Sequence, residues 1–380
     1  YAGTSWASVI NAVNAGTGLG NVSFAELQGI LDGSTDTAAG SVQLRSNNRE
    51  YYSRGVQFGA NWEGDFGGLS HSLRAGLRLH EDEEDRFQRN DAYSQTAGKL
   101  GLDYIGEAGG AGNQVQSARA LAFFVHDEIR VGNWTLSPGL RYEDIEQDRV
   151  RFSGGAARNY VDGRENTAQV WLPGLGVSYE ATANWTLIAG VHKGFTAPSN
   201  SPGVKEEVAI NYELGVRFQD GGLSAEVIGF LSDYDNLLGQ CTASSGSDCV
   251  IGDAFNGDAA TVAGLEALVS ADLSSNSAYR VPLTLSYTRI DGEFDTSIGD
   301  TDFFGTVNAG DPLPYLPENQ LRIAVGIEAG RWTSYLSANY VDDVCVRASC
   351  GAFESTDDSL TLDASASYQF NAALNVFLRA

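Results

Sequence analysis

Trp134-Thr135-Leu136-Ser137-Pro138-Gly139-Leu140-Arg141-Tyr142-Glu143 is the stretch that decides the fold. Its even positions are large and apolar, and its odd positions are polar, charged or glycine. A β-strand turns successive side chains to opposite faces, so this segment has one apolar face and one polar face. The same reading holds elsewhere. Leu73, Ala75, Leu77 and Leu79 alternate with Arg74, Gly76, Arg78 and His80. Tyr212, Leu214, Val216 and Phe218 alternate with Glu213, Gly215, Arg217 and Gln219. Leu321 to Glu328 and Leu360 to Phe370 repeat the pattern.

Alternation alone also fits a large soluble β-sandwich. Three features favour a transmembrane antiparallel β-barrel. The alternating runs span about 9–14 residues, against ~5–6 in globular sheets. Their connections alternate in length. Short turns fall at 64–68, 132–133, 181–184, 219–222, 330–331 and 371–372, and long polar loops near 81–114, 148–166, 195–206, 238–258, 293–318 and 343–358. Finally, Trp62, Trp134, Trp185 and Trp332 all flank short turns, where an aromatic girdle would lie. The alternative for these tryptophans is pairing across hairpins. The pattern predicts fourteen strands, near 51–62, 69–83, 115–131, 133–149, 167–181, 184–195, 206–219, 222–238, 258–272, 279–293, 318–329, 331–343, 358–370 and 372–380.

The rest of the composition agrees. Charged residues make up only 19% of the 380 positions, Gly is abundant at 45, and Met is absent. No run approaches the ~18 consecutive apolar residues of a membrane helix, which a strand-built span does not need. The net charge of −25 disfavours nucleic acid as a partner. It fits either a soluble acidic surface or acidic extracellular loops. Residues 1–50 are rich in Gly, Asn, Ser and Thr and read as an extracellular loop region, with a short helix over 22–31. Residues 51–380 read as the barrel, in part. No signal peptide is visible, and the chain opens in a loop and stops in mid-strand, so a piece of a longer protein is expected. Cys241/Cys249 and Cys345/Cys350 form two local pairs without metal-site spacing, and read as two short disulfide-closed loops.

Several pieces carry a family resemblance. They are Asn47-Asn48-Arg49-Glu50-Tyr51-Tyr52-Ser53-Arg54-Gly55-Val56-Gln57, Phe123-Phe124-Val125-His126-Asp127-Glu128 and Leu136-Ser137-Pro138-Gly139-Leu140-Arg141-Tyr142-Glu143. Lys193-Gly194-Phe195-Thr196-Ala197-Pro198, Asn211-Tyr212-Glu213-Leu214-Gly215-Val216-Arg217 and Leu313-Pro314-Tyr315-Leu316-Pro317-Glu318-Asn319-Gln320 complete the set. From about residue 45 to the end, the chain resembles TonB-dependent outer-membrane transporters, in the branch of ferric citrate and siderophore receptors. The resemblance implies a barrel of about 22 strands filled by an N-terminal plug, with roughly strands 8 to 21 present here. It also implies an iron chelate as ligand, TonB as partner through an upstream region, and the Gram-negative outer membrane, with its lipid and lipopolysaccharide, as surroundings. A passive porin-type channel and a surface adhesin remain alternatives. Within the transporters, haem, cobalamin or a zinc complex are alternative ligands.

No catalytic constellation is present, so neither an enzyme nor a cofactor is expected. His71, His80, His126 and His192 are dispersed, and His126 and His192 read as lumen hydrogen-bonding residues rather than as half of a barrel phospholipase. An anionic ferric chelate needs Arg or Lys donors. Candidates at the lumen or mouth are Arg45, Arg49, Arg54, Arg86, Arg89, Arg151 and Lys193, together with Arg158, Arg164 and Lys205. The run His80-Glu81-Asp82-Glu83-Glu84-Asp85 reads as a solvated charge run, with divalent-cation binding as the sharper alternative.

Overall fold

The structure is a computed structural model that describes residues 6–240, 253–274, 278–301, 304–348, 350–351 and 354–380. Fourteen strands follow one another as an antiparallel meander: β1 (Arg49–Phe66), β2 (Leu69–Thr96), β3 (Gly112–Val131), β4 (Trp134–Ser153), β5 (Asn159–Glu180), β6 (Trp185–Thr196), β7 (Glu207–Asp220), β8 (Leu223–Asp235), β9 (Ala260–Asp272), β10 (Pro282–Phe294), β11 (Asn319–Ala329), β12 (Trp332–Val341), β13 (Ser359–Asn371) and β14 (Leu374–Arg379). Each hydrogen-bonds to the next in the chain, within a sheet of sixteen strands. The other two, Val42–Ser46 and Lys99–Tyr104, pair with the far end of β2. All fourteen expected strands are present. Among the described residues β1 and β14 are each paired on one side only, so the sheet stays open.

Cross-strand partners share a face, so the register sorts every side chain. Phe58, Leu77, Phe123, Tyr142 and Trp171 lie opposite one another in a row across five strands. Three of them pack ring to ring, Phe123–Tyr142 at 5.6 Å and Tyr142–Trp171 at 4.7 Å. This apolar face is exposed in the isolated chain; Leu214 is 71% accessible and Leu362 66%. Leaving so much contiguous apolar area in water is untenable for a soluble sheet, so this face is the lipid-facing, outward one. On β2 the outward apolar set runs from Leu69 to Leu79. Ten residue steps tilted by ~40° span about 25 Å of height, the thickness of an outer-membrane apolar band. Within it His71 Nδ1 and Asp127 Oδ2 lie 2.6 Å apart, each partnering the other. The inward face carries Arg74, Arg78, His126, Glu143, His192, Glu213 and many glycines.

The tryptophans at the short turns do more than flank them. Trp134 packs on Tyr179 with centroids 4.4 Å apart, Trp185 on Phe218 at 4.8 Å and Trp332 on Tyr368 at 6.3 Å. Each pair joins strands whose connection lies at the opposite end of the sheet, so the rings bridge neighbouring hairpins as a girdle. The β1–β2 turn at Gly67-Gly68 has positive φ at both positions (63° and 82°), which glycine adopts without strain and which matches the twist of a two-residue hairpin.

At the opposite end the structure departs from expectation. The region 81–114, expected as a loop, is strand as far as Thr96, because β1, β3 and the two short strands continue to pair with β2 after its apolar residues stop. The expected loop 148–166 shrinks to residues 154–158 for the same reason. Residues 1–50 are not one long loop either. They hold α1 (Trp6–Asn14) and α2 (Phe24–Asp32), packed through Ala12, Val22 and Leu27, then the Val42–Ser46 strand. Ser23 caps α2 by accepting from the Glu26 amide at 3.3 Å, and Gly33 ends it in the left-handed conformation. A Cβ on Gly33 would lie 2.9 Å from the Gly98 Cα, so glycine there permits the helix to dock on the β2 hairpin. At the end of β10, Phe294 joins Phe304, Val307 and Ala348 of the long connections in a small buried core. Cys345 and Cys350 are joined as a disulfide within this region. Cys241 and Cys249 lie outside the described residues.

The face assignment has a direct test. Leu214→Arg should destabilise the full-length protein in lipid by about 2–4 kcal/mol, because a cation then faces hydrocarbon. Thr288→Arg, on the inward face opposite Glu266, should stay within about 1 kcal/mol. Equal losses in denaturant unfolding would show that the faces are wrongly assigned.

Candidate functional site: an arginine cluster at the inner mouth

Where β4 and β5 rise past the apolar band, their register brings inward-facing cations together. Arg149 lies opposite Arg164, and Arg151 opposite Asp162. Like charges directly opposite on a sheet repel, so the pair needs compensation. Asp253 supplies it. Its Oδ1 accepts from Arg164 Nη2 at 2.6 Å and lies 3.6 Å from Arg149 Nη1. Arg164 Nε also donates to Asn200 Oδ1 at 2.7 Å, and Asn200 in turn donates to Gln116 Oε1 on β3 at 2.9 Å.

The connections that carry Asn200 and Asp253 are pinned over the cluster. Asn166, next on the inward face of β5, donates to the carbonyls of Ser199, Ser201 and Val204 at 2.8–3.1 Å. The Ala254 amide donates to Ser201 Oγ at 3.0 Å, and Asn256 exchanges two hydrogen bonds with the Lys205 backbone. The result is a hydrogen-bonded network that packs over both guanidinium groups. Arg149 and Arg164 side chains are only 10% and 13% exposed. Arg149 Nε is buried without a partner among the described residues. Burial pushes the Arg149 guanidinium below its ordinary pKa, and the Arg164 charge adds to this, with Asp253 opposing. A buried cation with one free donor and a nearby like charge is a site whose electrostatics favour an incoming anion.

The other candidates are dispersed. Arg49 and Arg86 lie opposite each other on the inward face and share Glu84, each at 3.0 Å. Arg45 donates to Asn90 Oδ1 at 3.1 Å, and Arg89 pairs with Asp91 at 3.0 Å, both in the extension beyond the band. Arg158 donates to Asp85 at 2.6 Å and lies over the Phe87 and Phe152 rings. Two candidates do not face the lumen. Arg54 lies opposite Glu81, in the outward set of Val56 and Phe58. Lys193 lies opposite Ile210, in the outward set of Leu187 and Val191. Parity along the strand, two residues per repeat, decides both.

Parity also splits the acidic run. Glu81, Glu83 and Asp85 point outward, while His80, Asp82 and Glu84 point inward, with His80 Nε2 3.1 Å from both Ser53 Oγ and Asp82 Oδ1. Among the described residues no group of three or more His, Cys, Asp or Glu side chains converges as a metal site. The residue missed by the sequence reading is Arg149. It sits at the expected end of a strand, and only the closeness of β5 reveals its neighbour Arg164.

An open transmembrane sheet of this kind, with an apolar outer face, an aromatic girdle and inward arginines at its loop end, is the wall of an outer-membrane β-barrel. Residues 2–380 match the family described as TonB dependent receptor-like, beta-barrel, and the chain belongs to that family. Proteins of this family are receptors and transporters of the Gram-negative outer membrane, which places the chain there. The chain is 25% identical over 201 residues to the ferric enterobactin receptor of Pseudomonas aeruginosa, covering 45% of this chain and 24% of that protein. It is 22% identical over 184 residues to the probable TonB-dependent siderophore receptor PirA of Acinetobacter baumannii, covering 41% and 22%. Among solved structures, the unliganded ferric citrate transporter FecA matches with a TM-score of 0.68 at 21% identity, over 88% of this chain and 50% of that one. The siderophore receptor PiuA of Acinetobacter baumannii matches with a TM-score of 0.69 at 14% identity, over 87% and 51%. These structural likenesses establish the fold. The chain spans about half the length of these solved chains and under a quarter of each curated relative.

Arg151 holds the Asp162 carboxyl below the ordinary carboxylate range. A depressed acid contributes stability above its unfolded value of about 3.9 and loses it as pH falls through the lower folded value. Carbon NMR of Asp162 in the micelle-embedded full-length protein should therefore give a midpoint below about 3.9. In Arg151→Gln that midpoint should rise; an unchanged value would break the assigned pairing.

Proposed function

We propose that this chain is the barrel wall of a receptor that takes an anionic iron chelate, ferric citrate or a siderophore complex, from outside the cell and passes it to the periplasm. In this reading the Arg149–Arg164 pair, with Arg151 beside it, binds the chelate's negative oxygens. Arg is suited to this because its planar fork matches a carboxylate and stays charged. The observation that carries the reading is the pair itself: two nearly buried guanidiniums on the inward face, compensated by a single carboxylate. A passive pore would gain nothing from burying them at that cost. Asp253 then acts as a stand-in anion that the ligand displaces, and the pinned segments around Asn200 and Asp253 are the parts that rearrange.

The additional length of the relatives is where the strands that pair with β1 and β14 would lie, together with a plug and the segment that engages TonB. Ligand release into the periplasm would then draw on the inner-membrane proton gradient through TonB. Partnership with TonB rests on family membership, and the arginines set only ligand choice.

Radiolabelled iron uptake by cells carrying the full-length gene tests this. With citrate or a siderophore supplied, Arg149→Ala combined with Arg164→Ala should reduce saturable uptake by about tenfold or more, as lost charged hydrogen bonds are worth ~1.5–3 kcal/mol each. Arg74→Ala, an inward arginine within the band, should leave it near wild type. Uptake unaffected by the double substitution, or uptake that survives loss of TonB, would overturn the proposal.

A further inference from the structure

The outward face holds a second arginine cluster, which the lumen cannot use. Arg54, Glu81, Arg119 and Glu146 lie opposite one another in a row across β1 to β4. One row below lie Val56, Leu79 and Leu121, the upper edge of the lipid-facing apolar band. Arg54 donates to Glu81 Oε2 through Nε at 3.0 Å and Nη2 at 2.8 Å, and the Arg54 guanidinium lies 5.0 Å from the Tyr52 ring centre. Arg119 Nε lies 3.7 Å from Glu81 Oε1. One carboxylate thus holds two arginines side by side.

Both remain open to the outside. The Arg54 and Arg119 side chains are 69% and 64% exposed, against 23% for Glu81. Guanidinium offers five N–H donors, so Glu81 leaves most of both sets unused. The arginines, the Glu81 carboxylate and the three aliphatic residues line one groove of about 630 Å³, whose far wall is Asp144 and Glu146. Its lower part is apolar and continuous with the surface that acyl chains cover. Its upper row carries two arginines and two glutamates, with Glu81 held between the arginines and Glu146 at the far side of Arg119, and Asp144 ends the row below. The open N–H donors lie at the arginine end, away from Glu146 and Asp144.

We propose that this groove binds a phosphorylated lipid of the outer leaflet, with the phosphate between Arg54 and Arg119 and an acyl chain along Val56, Leu79 and Leu121. The polarity order of the groove, aliphatic below and guanidinium donors above, is that of such a lipid at the membrane surface. A soluble anion would use the arginines and gain nothing from the aliphatic floor. Glu81 is the positioning residue that fixes the spacing of the two guanidiniums. The site is independent of ligand transport, since it lies on the opposite face of the sheet from Arg149 and Arg164.

The test uses the full-length protein purified in detergent. Retention of lipid A bearing its phosphates is read by native mass spectrometry and compared with dephosphorylated lipid A, with inorganic phosphate as competitor. Wild type should retain the phosphorylated lipid about tenfold more strongly than the dephosphorylated one. Arg54→Gln with Arg119→Gln should remove that preference, Arg54→Lys with Arg119→Lys should keep part of it, and Arg74→Gln on the inward face should not alter it. Folding of each variant is followed by heat-modified gel mobility. Wild type without a phosphate preference would overturn the proposal, and so would a double Gln variant that keeps it. Displacement by inorganic phosphate at equal concentration would overturn the lipid as the occupant.

Discussion

In hydrocarbon a backbone N–H or C=O has no water to turn to, and each one left unpaired costs several kcal/mol. The ladder that joins β1 through β14 answers that constraint, and the other features described follow from it. Pairing every strand to its sequence neighbour lets most turns on one side of the membrane be short. It also forces strict side-chain parity, because a slip of one residue would exchange the lipid and lumen faces of a whole strand. Parity is then what places Arg149, Arg151 and Arg164 inside and Arg54 and Arg119 outside.

How much of this was legible in the sequence depended on whether apolar residues marked it. The strands through the band were readable because Leu, Val, Phe and Tyr recur at every second position. The strand extensions were not. From Glu81 to Thr96 both faces of β2 are largely polar, so the alternation has no contrast and the segment reads as a loop. Hydrogen bonding to neighbours, which the one-dimensional pattern does not carry, makes it strand. The same limit hid the mouth. Arg151 and Arg164 could be named as cations, but their meeting with Arg149 depends on a register set by a five-residue connection between β4 and β5. Arg54 and Lys193 lie on the outward face, and the sequence carries that placement: counting in twos from Val56 and Val191 puts both outside. In residues 1–50 the second helix overlaps the stretch 22–31 expected to be helical, whereas the first, Trp6–Asn14, has no acidic residue in its first turn and no basic one in its last to mark it.

The strongly acidic composition takes on a more specific meaning with the structure in hand. Three carboxylates each fix a pair of arginines: Glu84 between Arg49 and Arg86, Glu81 between Arg54 and Arg119, and Asp253 between Arg149 and Arg164. The motif is the same in each case, one anion shared by two cations. Burial separates the three. Where water reaches the groups the motif is a surface staple worth little in stability. What sets the Asp253 trio apart is its cations: Arg149 and Arg164 are 10% and 13% exposed, against 69% and 64% for Arg54 and Arg119, while Asp253 itself keeps an open edge at 36%.

The tryptophan pairs at the short turns have a mechanical consequence. Trp134–Tyr179, Trp185–Phe218 and Trp332–Tyr368 lock neighbouring hairpins to one another at a single depth, that of the membrane interface. Moving the wall along its axis would drag all these rings together into hydrocarbon or into water. The girdle therefore behaves as a collar that holds the wall still against an axial pull. Force applied from the periplasmic side would then be spent on whatever moves inside the wall.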